Sequence, residues 1–301
     1  MRVWFGLALC AGCSFQHGVA SSGDVPDAST SDAPLADSAP VPVFPTGPFG
    51  TPTLVPISLS GVRDDDVTLT GDMLEMYFES DREAVGQSDI YMARRASVTD
   101  PWPTPKRVTE LSTTYLETSM EVSPDGLTIY FSSNRPPASN IDVFVATRAN
   151  RSSPWSEPTL VSALSSASND YNAQPWSDTV LYMTSDRAPV RGGSDVFRAT
   201  RGQPSSAWSA PVIVPGLDTS YYEGEAFADA TGAIWFTGDA EGDDDLWRAE
   251  PNGDGTFKPA QLVTEIGTPA SENDPWLSPD GHTLYFTSNR NGSLDIFVAH
   301  R

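Results

Sequence analysis

The 301-residue chain contains few cysteines, lysines and histidines, and each shortage excludes a class of protein. Its two cysteines, Cys10 and Cys13, both lie close to the N-terminus, so the remainder of the chain can form no internal disulfide and offers no thiol nucleophile. Its three histidines, His17, His282 and His300, do not have the spacing of a zinc site. A glycine-rich phosphate loop is also absent from the sequence.

Positive charge is scarce as well. Acidic residues outnumber basic residues by 40 to 18, which gives a formal net charge of −22, and only Lys106 and Lys258 are lysines. So acidic a chain repels a phosphate backbone, which excludes a nucleic-acid-binding protein. Hydrophobic residues make up 39% of the chain and eight residues are tryptophan, which indicates a folded core. The 26 prolines and 23 glycines favour many turns over long helices.

The N-terminus resembles a bacterial lipoprotein leader. Met1 and Arg2 precede a short apolar run that ends Cys10-Ala11-Gly12-Cys13, and small residues directly before a cysteine resemble a lipobox, in which that thiol is acylated. The resemblance implies a signal peptide over residues 1–12 and lipidation at Cys13. Cys10 fits the pattern less well, because the bulky Leu9 precedes it. A plain signal peptide or an N-terminal core strand remains an alternative.

Residues 13–48 begin with this cysteine and continue as a segment rich in proline, serine and alanine without lysine or arginine. Such a segment lacks apolar periodicity and cannot offset its ordering entropy. We expect it to be a disordered stalk that tethers a folded domain, residues 49–301, to a membrane.

From Phe49 onward the sequence repeats five times, with a period of about 51 residues. The first marker is an aromatic residue followed by a proline. The second is a pair of aromatic residues followed by a small residue, a polar residue and an arginine. The third is an aspartate followed by an aliphatic residue. The aromatic residue of the first marker is Phe49, Trp102, Trp155, Trp208 and Phe257. Three markers that recur in one order indicate a repeat architecture.

Each repeat contains four short runs with strand character. In the second repeat they are Lys106–Leu111, Ser119–Ser123, Thr128–Ser133 and Ile141–Arg148. A Ser-Pro-Asp-Gly turn separates the second run from the third and recurs in the last repeat. Four-stranded units of this length predict the blades of an all-β propeller.

The repeat also resembles a known family. The last copy reads Ser-Pro-Asp-Gly, then Leu-Tyr-Phe-Thr-Ser-Asn-Arg, then Asp-Ile-Phe-Val-Ala, and is similar to the Pro-Asp-motif, WD-like repeat of TolB-type propellers. The resemblance implies a single propeller of five four-stranded blades, in which the aromatic-proline segment is the outermost strand. The last blade then lacks its outermost strand, which predicts closure by strand exchange with the N-terminal segment 53–59.

Residues that recur in every repeat are expected to be structural. The arginine of the second marker recurs with the aspartate of the third, as in Arg82 with Asp89 and Arg135 with Asp142. We expect an ion pair or a turn hydrogen bond within each blade, and no catalytic role.

Function is expected where the repeats differ, on the face formed by the loops that lead into the innermost strands. These loops are rich in acids and tyrosines, which can bind a cation or a sugar stacked on a tyrosine; a solvated acidic rim is the alternative. The candidate ligand face comprises Asp66, Tyr115, Glu117, Asp170, Tyr171, Tyr222, Glu223, Glu225, Glu272 and Asp274. A candidate Ca²⁺ site without EF-hand spacing comprises Asp239, Glu241, Asp243 and Asp244.

Three functional hypotheses follow. The first is a monomeric, non-enzymatic binding module of the bacterial cell envelope, on the periplasmic or surface side of a membrane, with a protein or glycan as its partner and no cofactor. The second is a glycoside hydrolase, because the implied five-bladed propeller resembles a known furanosidase scaffold. That reaction requires two opposed carboxylates, which the acids of the entry loops could supply. The third is a Ca²⁺-stabilised structural ring.

Overall fold

The computed structural model describes residues 44–45, 47–83 and 88–301. The leader, Cys13 and nearly all of the predicted stalk lie outside these residues. Every regular element of these described residues is a β-strand, and they contain no helix long and apolar enough to cross a membrane.

Twenty short strands make up the described fold. Most are six residues long, and every fourth strand is only two residues long. The strands are β1 (Thr53–Leu54), β2 (Asp64–Leu69), β3 (Glu75–Ser80), β4 (Asp89–Arg94), β5 (Lys106–Arg107), β6 (Glu117–Val122), β7 (Thr128–Ser133), β8 (Asp142–Thr147), β9 (Thr159–Leu160), β10 (Asp170–Pro175), β11 (Val180–Ser185), β12 (Asp195–Thr200), β13 (Val212–Ile213), β14 (Glu223–Ala228), β15 (Ile234–Gly238), β16 (Asp245–Ala249), β17 (Gln261–Leu262), β18 (Glu272–Leu277), β19 (Thr283–Ser288) and β20 (Asp295–His300).

The strands form five antiparallel four-stranded sheets, as the sequence predicted. Blades 1 to 4 consist of β2–β5, β6–β9, β10–β13 and β14–β17, and blade 5 consists of β18, β19, β20 and β1. The first strands of the blades, β2, β6, β10, β14 and β18, contact one another in this order, and β18 also contacts β2. The sheets therefore close into a ring around an axial channel, and the predicted five-bladed all-β propeller is confirmed.

Both ends of the described chain meet in blade 5. The two-residue strand β1 pairs antiparallel with β20, so that Thr53 lies opposite Val298 and Leu54 opposite Phe297. β1 is the outermost strand of that blade, the position that β5, β9, β13 and β17 occupy in the other four.

The outer strands are shorter than the sequence indicated. Of the predicted run Lys106–Leu111, only Lys106–Arg107 forms a strand, β5, which is the outer strand of blade 1. The predicted run Thr128–Ser133 matches β7 at both ends. The Ser-Pro-Asp-Gly segments form the expected tight turns, in which Gly126 (φ 72°) and Gly281 (φ 73°) adopt the left-handed conformation.

The core lies between neighbouring blades and is built largely from the repeated aromatic residues. Trp155 and Trp208 are buried, and the guanidinium groups of Arg148 and Arg201 lie 4.3 and 4.1 Å from their ring centroids. Phe44, which the sequence analysis placed in the stalk, packs against a core cluster formed by blades 1, 4 and 5.

The antiparallel order assigns the connecting loops to two faces of the ring. Each inner strand begins at one face, here called the mouth face, which also carries the loops between the second and third strands. The hairpins that join the first and second strands lie at the opposite, hairpin face. All ten residues of the predicted ligand face lie in or next to the mouth-face ends of the inner strands.

Candidate functional site

The recurring arginines have different partners from those predicted. Arg82 binds Asp64 at 2.6 Å, and the equivalent Arg290 binds Glu272 at 2.9 Å. The prediction of an Arg82–Asp89 pair was wrong, because Asp89 instead accepts from Arg107 at 2.7 Å. Each arginine thus joins the loop after the second strand to the first residue of the inner strand in the same blade.

This arrangement assigns a structural role to several residues of the predicted ligand face. Glu117, Asp170 and Glu272 are the first residues of their inner strands, are fully buried, and each forms a salt bridge with the arginine of its blade. The Thr113 hydroxyl and amide also donate to Glu117, at 2.6 and 2.7 Å. Both oxygens of Glu117 and of Glu272 accept hydrogen bonds from protein groups, so these two carboxylates are not available to a ligand. Asp170 Oδ2 has no hydrogen-bond partner among the described residues.

Blade 4 departs from this pattern. Ala240 replaces the arginine, so Glu223 receives hydrogen bonds from Thr219 only, one of them from the amide at 3.1 Å. Burial, together with the neighbouring Asp195, raises the pKa of Glu223 to about 7. Among the five first-position carboxyl groups, that of Glu223 is the one without an arginine partner in the described residues.

All five inner strands carry a bulge that redirects one side chain. The pairing register shifts at the same place in each blade, and the third residue of the strand has a left-handed φ of 48–53°. These residues are Asp66, Ser119, Asn172, Glu225 and Asp274. A non-glycine residue in this region is unusual, and its recurrence in five blades shows that the ring requires the bulge.

Three of these bulge residues, Asp66, Glu225 and Asp274, form a carboxyl cluster in the channel. Two further acids of blade 1, Asp65 and Glu79, complete this group of five, which is called the channel cluster below.

Contacts between blades hold the channel cluster together. Asp66 accepts hydrogen bonds from the Thr118 hydroxyl at 2.7 Å and from the Ser119 amide at 2.9 Å. The Thr287 hydroxyl lies 2.7 Å from Asp65 and 2.9 Å from Asp274. Side chains from blades 1, 2 and 5 therefore meet on the axis.

A single cation contacts the cluster among the described residues. Arg63 forms salt bridges with Asp65, at 2.8 Å, and with Glu79. The cluster therefore contains more carboxyl groups than one arginine can neutralise, and repulsion between them favours the protonated form.

Burial and mutual repulsion separate the pKa values of these groups. Burial and the charge of Asp66 raise the pKa of Glu79 well above its ordinary value, and burial and Glu225 do the same for Asp274. Burial, followed by the charge of Asp66, raises the pKa of Glu225 to about 8. For Asp66 burial alone would raise the pKa, but hydrogen bonds from Glu79, Asp274 and blade 2 outweigh it and lower the pKa. The pKa of Asp66 is thus lowered, whereas those of Glu79, Glu225 and Asp274 are raised.

Buried acceptor oxygens in the channel lack protein partners. Asn172 Oδ1, Glu225 Oε2 and Asp274 Oδ1, from blades 3, 4 and 5, accept no hydrogen bond within the described residues. Asp274 and Asn172 are 7% and 6% exposed. Because an unsatisfied buried polar atom is costly, these atoms favour a ligand whose groups can both donate and accept hydrogen bonds.

Tyrosines surround the channel mouth. Tyr115 is 40% exposed, whereas Tyr171 and Tyr222 are half-buried. The Tyr222 hydroxyl donates to Glu225 Oε1 at 3.3 Å. Gly224 makes this position possible, because a Cβ atom there would lie 2.1 Å from the Tyr222 hydroxyl oxygen.

The predicted calcium ligands are not assembled as a site. Asp239 accepts from the Tyr222 amide at 2.8 Å, and no group of three or more His, Cys, Asp or Glu side chains in the described ranges is arranged to hold a metal ion. Burial, with a smaller contribution from repulsion by Asp239 and Asp243, raises the pKa of Asp244. Asp239, Glu241, Asp243 and Asp244 therefore form a loop rich in like charge.

Sequence analysis did not select Glu79 or Glu121, although both interrupt the repeat. Glu79 stands where the other blades have Ser132, Thr184, Thr237 or Thr287. Glu121 likewise stands at an inner-strand position that is not acidic in any other blade. A position-by-position comparison of the repeats would have identified both.

Comparisons with known proteins agree with the fold. The sequence matches no protein-family profile and no curated protein. Among solved structures, TolB from Acinetobacter baumannii is 14% identical with a TM-score of 0.51; the match covers 81% of this chain and 56% of TolB, just over half its length.

Glycoside hydrolases are also similar. A thermostable family-43 glycoside hydrolase is 10% identical with a TM-score of 0.55, covering 82% of this chain and 91% of that one. An α-L-arabinofuranosidase from Podospora anserina, solved with cellotriose, is 12% identical with a TM-score of 0.51. The match covers 85% of this chain and 98% of the arabinofuranosidase chain. At such identities the likeness shows the propeller fold alone, and the predicted TolB resemblance is confirmed at that level.

Proposed function

We propose that the protein is a non-enzymatic binding propeller of the bacterial cell envelope and that its channel mouth binds a glycan. The observation that carries the proposal is the convergence of unpartnered acceptor oxygens from Asn172, Glu225 and Asp274 on the channel. Sugar hydroxyl groups both donate and accept hydrogen bonds and so satisfy such oxygens in either protonation state, and tyrosine rings at the mouth offer faces on which a sugar ring stacks.

The test is a glycan array probed with the full-length protein. The array includes peptidoglycan fragments, lipopolysaccharide core oligosaccharides and arabinoxylo-oligosaccharides. We expect retention on at least one class and a loss of at least tenfold in affinity for Glu225→Gln and for Asp274→Asn, which keep side-chain size and alter the acceptors. Asp125→Asn on the hairpin face is the matched control. Absence of binding to every class, with capture of an envelope protein by the same face, would replace the glycan with a protein ligand.

A glycoside hydrolase is the second candidate, and one observation favours it. Asp66 has a lowered pKa while the neighbouring Glu225 and Asp274 have raised ones, and glycosidases require one ionised and one protonated carboxyl group. The similar hydrolase structures are consistent with this chemistry. Release of reducing sugar from arabinoxylan by the wild type, lost in Asp66→Asn and Glu225→Gln, would establish an enzyme and refute the binding proposal.

The membrane tether is proposed from the sequence alone, because Cys13 lies outside the described residues. The lipobox-like leader and the TolB-like repeat support an envelope location. Cys13→Ser is expected to move the protein from the membrane fraction to the soluble fraction of a bacterial host. An unchanged distribution would contradict the lipid anchor.

A further inference from the structure

The channel opens at the hairpin face into a cavity of about 440 Å³. All five blades contribute to its lining, through the ends of the inner strands and through hairpins such as those at Gly71, Pro124 and Pro279. The cavity therefore lies on the ring axis, at the end opposite the mouth.

Its walls are mainly apolar and include three large aromatic side chains. Trp176, Phe227 and Trp276 line the cavity together with Pro124, Pro175 and Pro279. The rings of Phe227 and Trp276 lie 6.2 Å apart at 51°. Aromatic faces carry negative potential and attract cations.

Trp176 is held in place although it is 40% exposed. Its indole Nε1 donates to the Asp229 carbonyl of the next blade at 2.8 Å, and its ring packs against Tyr182 at 6.5 Å. A large aromatic side chain that is both exposed and fixed presents a pre-organised contact surface to a ligand.

One acid lies among these apolar residues. Glu121 lines the cavity and is 7% exposed, and its Oε2 accepts from Thr68 at 3.1 Å. Gln174, at the equivalent position in blade 3, uses both ends of its amide on the Ala228 backbone. No lysine or arginine belongs to the described lining, so Glu121 is the cavity's one ionisable group.

We propose that this cavity binds an organic ammonium ion, a protonated amine or quaternary ammonium group carried on an apolar stem. The aromatic rings of Trp176, Phe227 and Trp276 contact the cation and its stem, and Glu121 supplies the counter-charge. A neutral apolar ligand would leave the acid without a function, and an anion would be repelled both by it and by the chain's net charge of −22.

The protonation state of Glu121 gives the proposal a second observable. Burial raises its pKa to about 8, with a smaller contribution from Asp66, the charged group that faces it from the adjacent inner strand. Cation binding favours the ionised carboxylate, so a proton is released on binding and affinity rises with pH between 6 and 9.

The test compares choline with its uncharged isostere 3,3-dimethylbutan-1-ol, titrated into the full-length protein at pH 6, 7.5 and 9 by calorimetry and tryptophan fluorescence. We expect saturable binding of choline with one site per chain, at least tenfold tighter than binding of the isostere. Glu121→Gln lowers the affinity for choline at least tenfold and abolishes the pH dependence of choline binding. Trp176→Ala, at an exposed position, weakens choline binding without loss of folding, as checked by circular dichroism.

Tyr115→Ala, on the mouth face, is the matched control and leaves choline binding unchanged. Equal affinity for choline and for the isostere, no saturable binding at millimolar choline, or full choline affinity in folded Glu121→Gln would each overturn the proposal. Because the two sites lie on opposite faces, failure here leaves the glycan proposal standing, and the reverse also holds.

Discussion

Replacement of Glu121 by glutamine is expected to change how stability depends on pH. Burial raises the pKa of this carboxyl group from 4.5 to about 8 in the folded protein. A folded-state pKa above the unfolded value means that the stabilisation is fully present below pH 4.5 and is lost as the pH rises through 8. One pKa unit corresponds to about 1.4 kcal/mol, so Glu121 alone removes on the order of 4 kcal/mol of unfolding free energy between pH 5 and pH 9.

Urea denaturation followed by tryptophan fluorescence at intervals from pH 5 to pH 9 measures this quantity. Glutamine keeps the size of the side chain and a hydrogen-bonding oxygen but cannot ionise. We therefore expect the Glu121→Gln profile to be flatter than that of the wild type by about 1.4 kcal/mol per pH unit between pH 5 and pH 8, and parallel to it above pH 8. Glu110→Gln, in an exposed loop of the same repeat, is the control. Parallel profiles for wild type and Glu121→Gln between pH 5 and pH 8 would refute the assignment of a buried, protonated carboxyl group.

Two further predictions concern the blades. Arg290→Ala leaves Glu272 buried without its arginine partner, which is expected to cost about 3–5 kcal/mol and to lower Tm on the order of 10 °C. The control is Arg191→Ala: the Arg191 side chain is 68% exposed, so its loss should change stability by less than about 1 kcal/mol. Equal effects of the two variants in thermal melts would contradict the structural role of the buried pair. Gly224→Ala places a methyl group against the Tyr222 hydroxyl and should destabilise the mouth, and the added change Tyr222→Ala should restore the melting temperature. A double variant no more stable than Gly224→Ala would show that the tyrosine is not the obstacle.

Local sequence signals were sufficient for the fold because each blade repeats them. The Ser-Pro-Asp-Gly turns require a left-handed glycine at a fixed place, and Gly126 and Gly281 adopt it. The alternating strands between these turns then follow from their β-branched and aromatic residues. The outer strands were predicted too long. In each outer strand, only two residues form pairs with the third strand before the chain turns towards the next blade.

The site was harder to predict because its members are separated in sequence and joined by ring closure. Asp66 and Asp274 are 208 residues apart, yet the Asp66 amide lies 3.4 Å from an Asp274 carboxylate oxygen. Sequence position also could not distinguish acids that face the channel from acids at the first position of the same strand. That is why Glu117 and Glu272 were predicted as ligand residues but serve instead as partners of arginine.

The most direct test of the proposed function is a titration of the best array glycan into wild-type protein and into Asp274→Asn at pH 7. Asp274 Oδ1 is a buried acceptor without a protein partner, and its pKa is raised by burial and by Glu225. If the channel mouth is the glycan site, the variant binds at least tenfold more weakly while its melting temperature matches or exceeds that of the wild type. Undiminished affinity in the folded variant would contradict a glycan site in the channel.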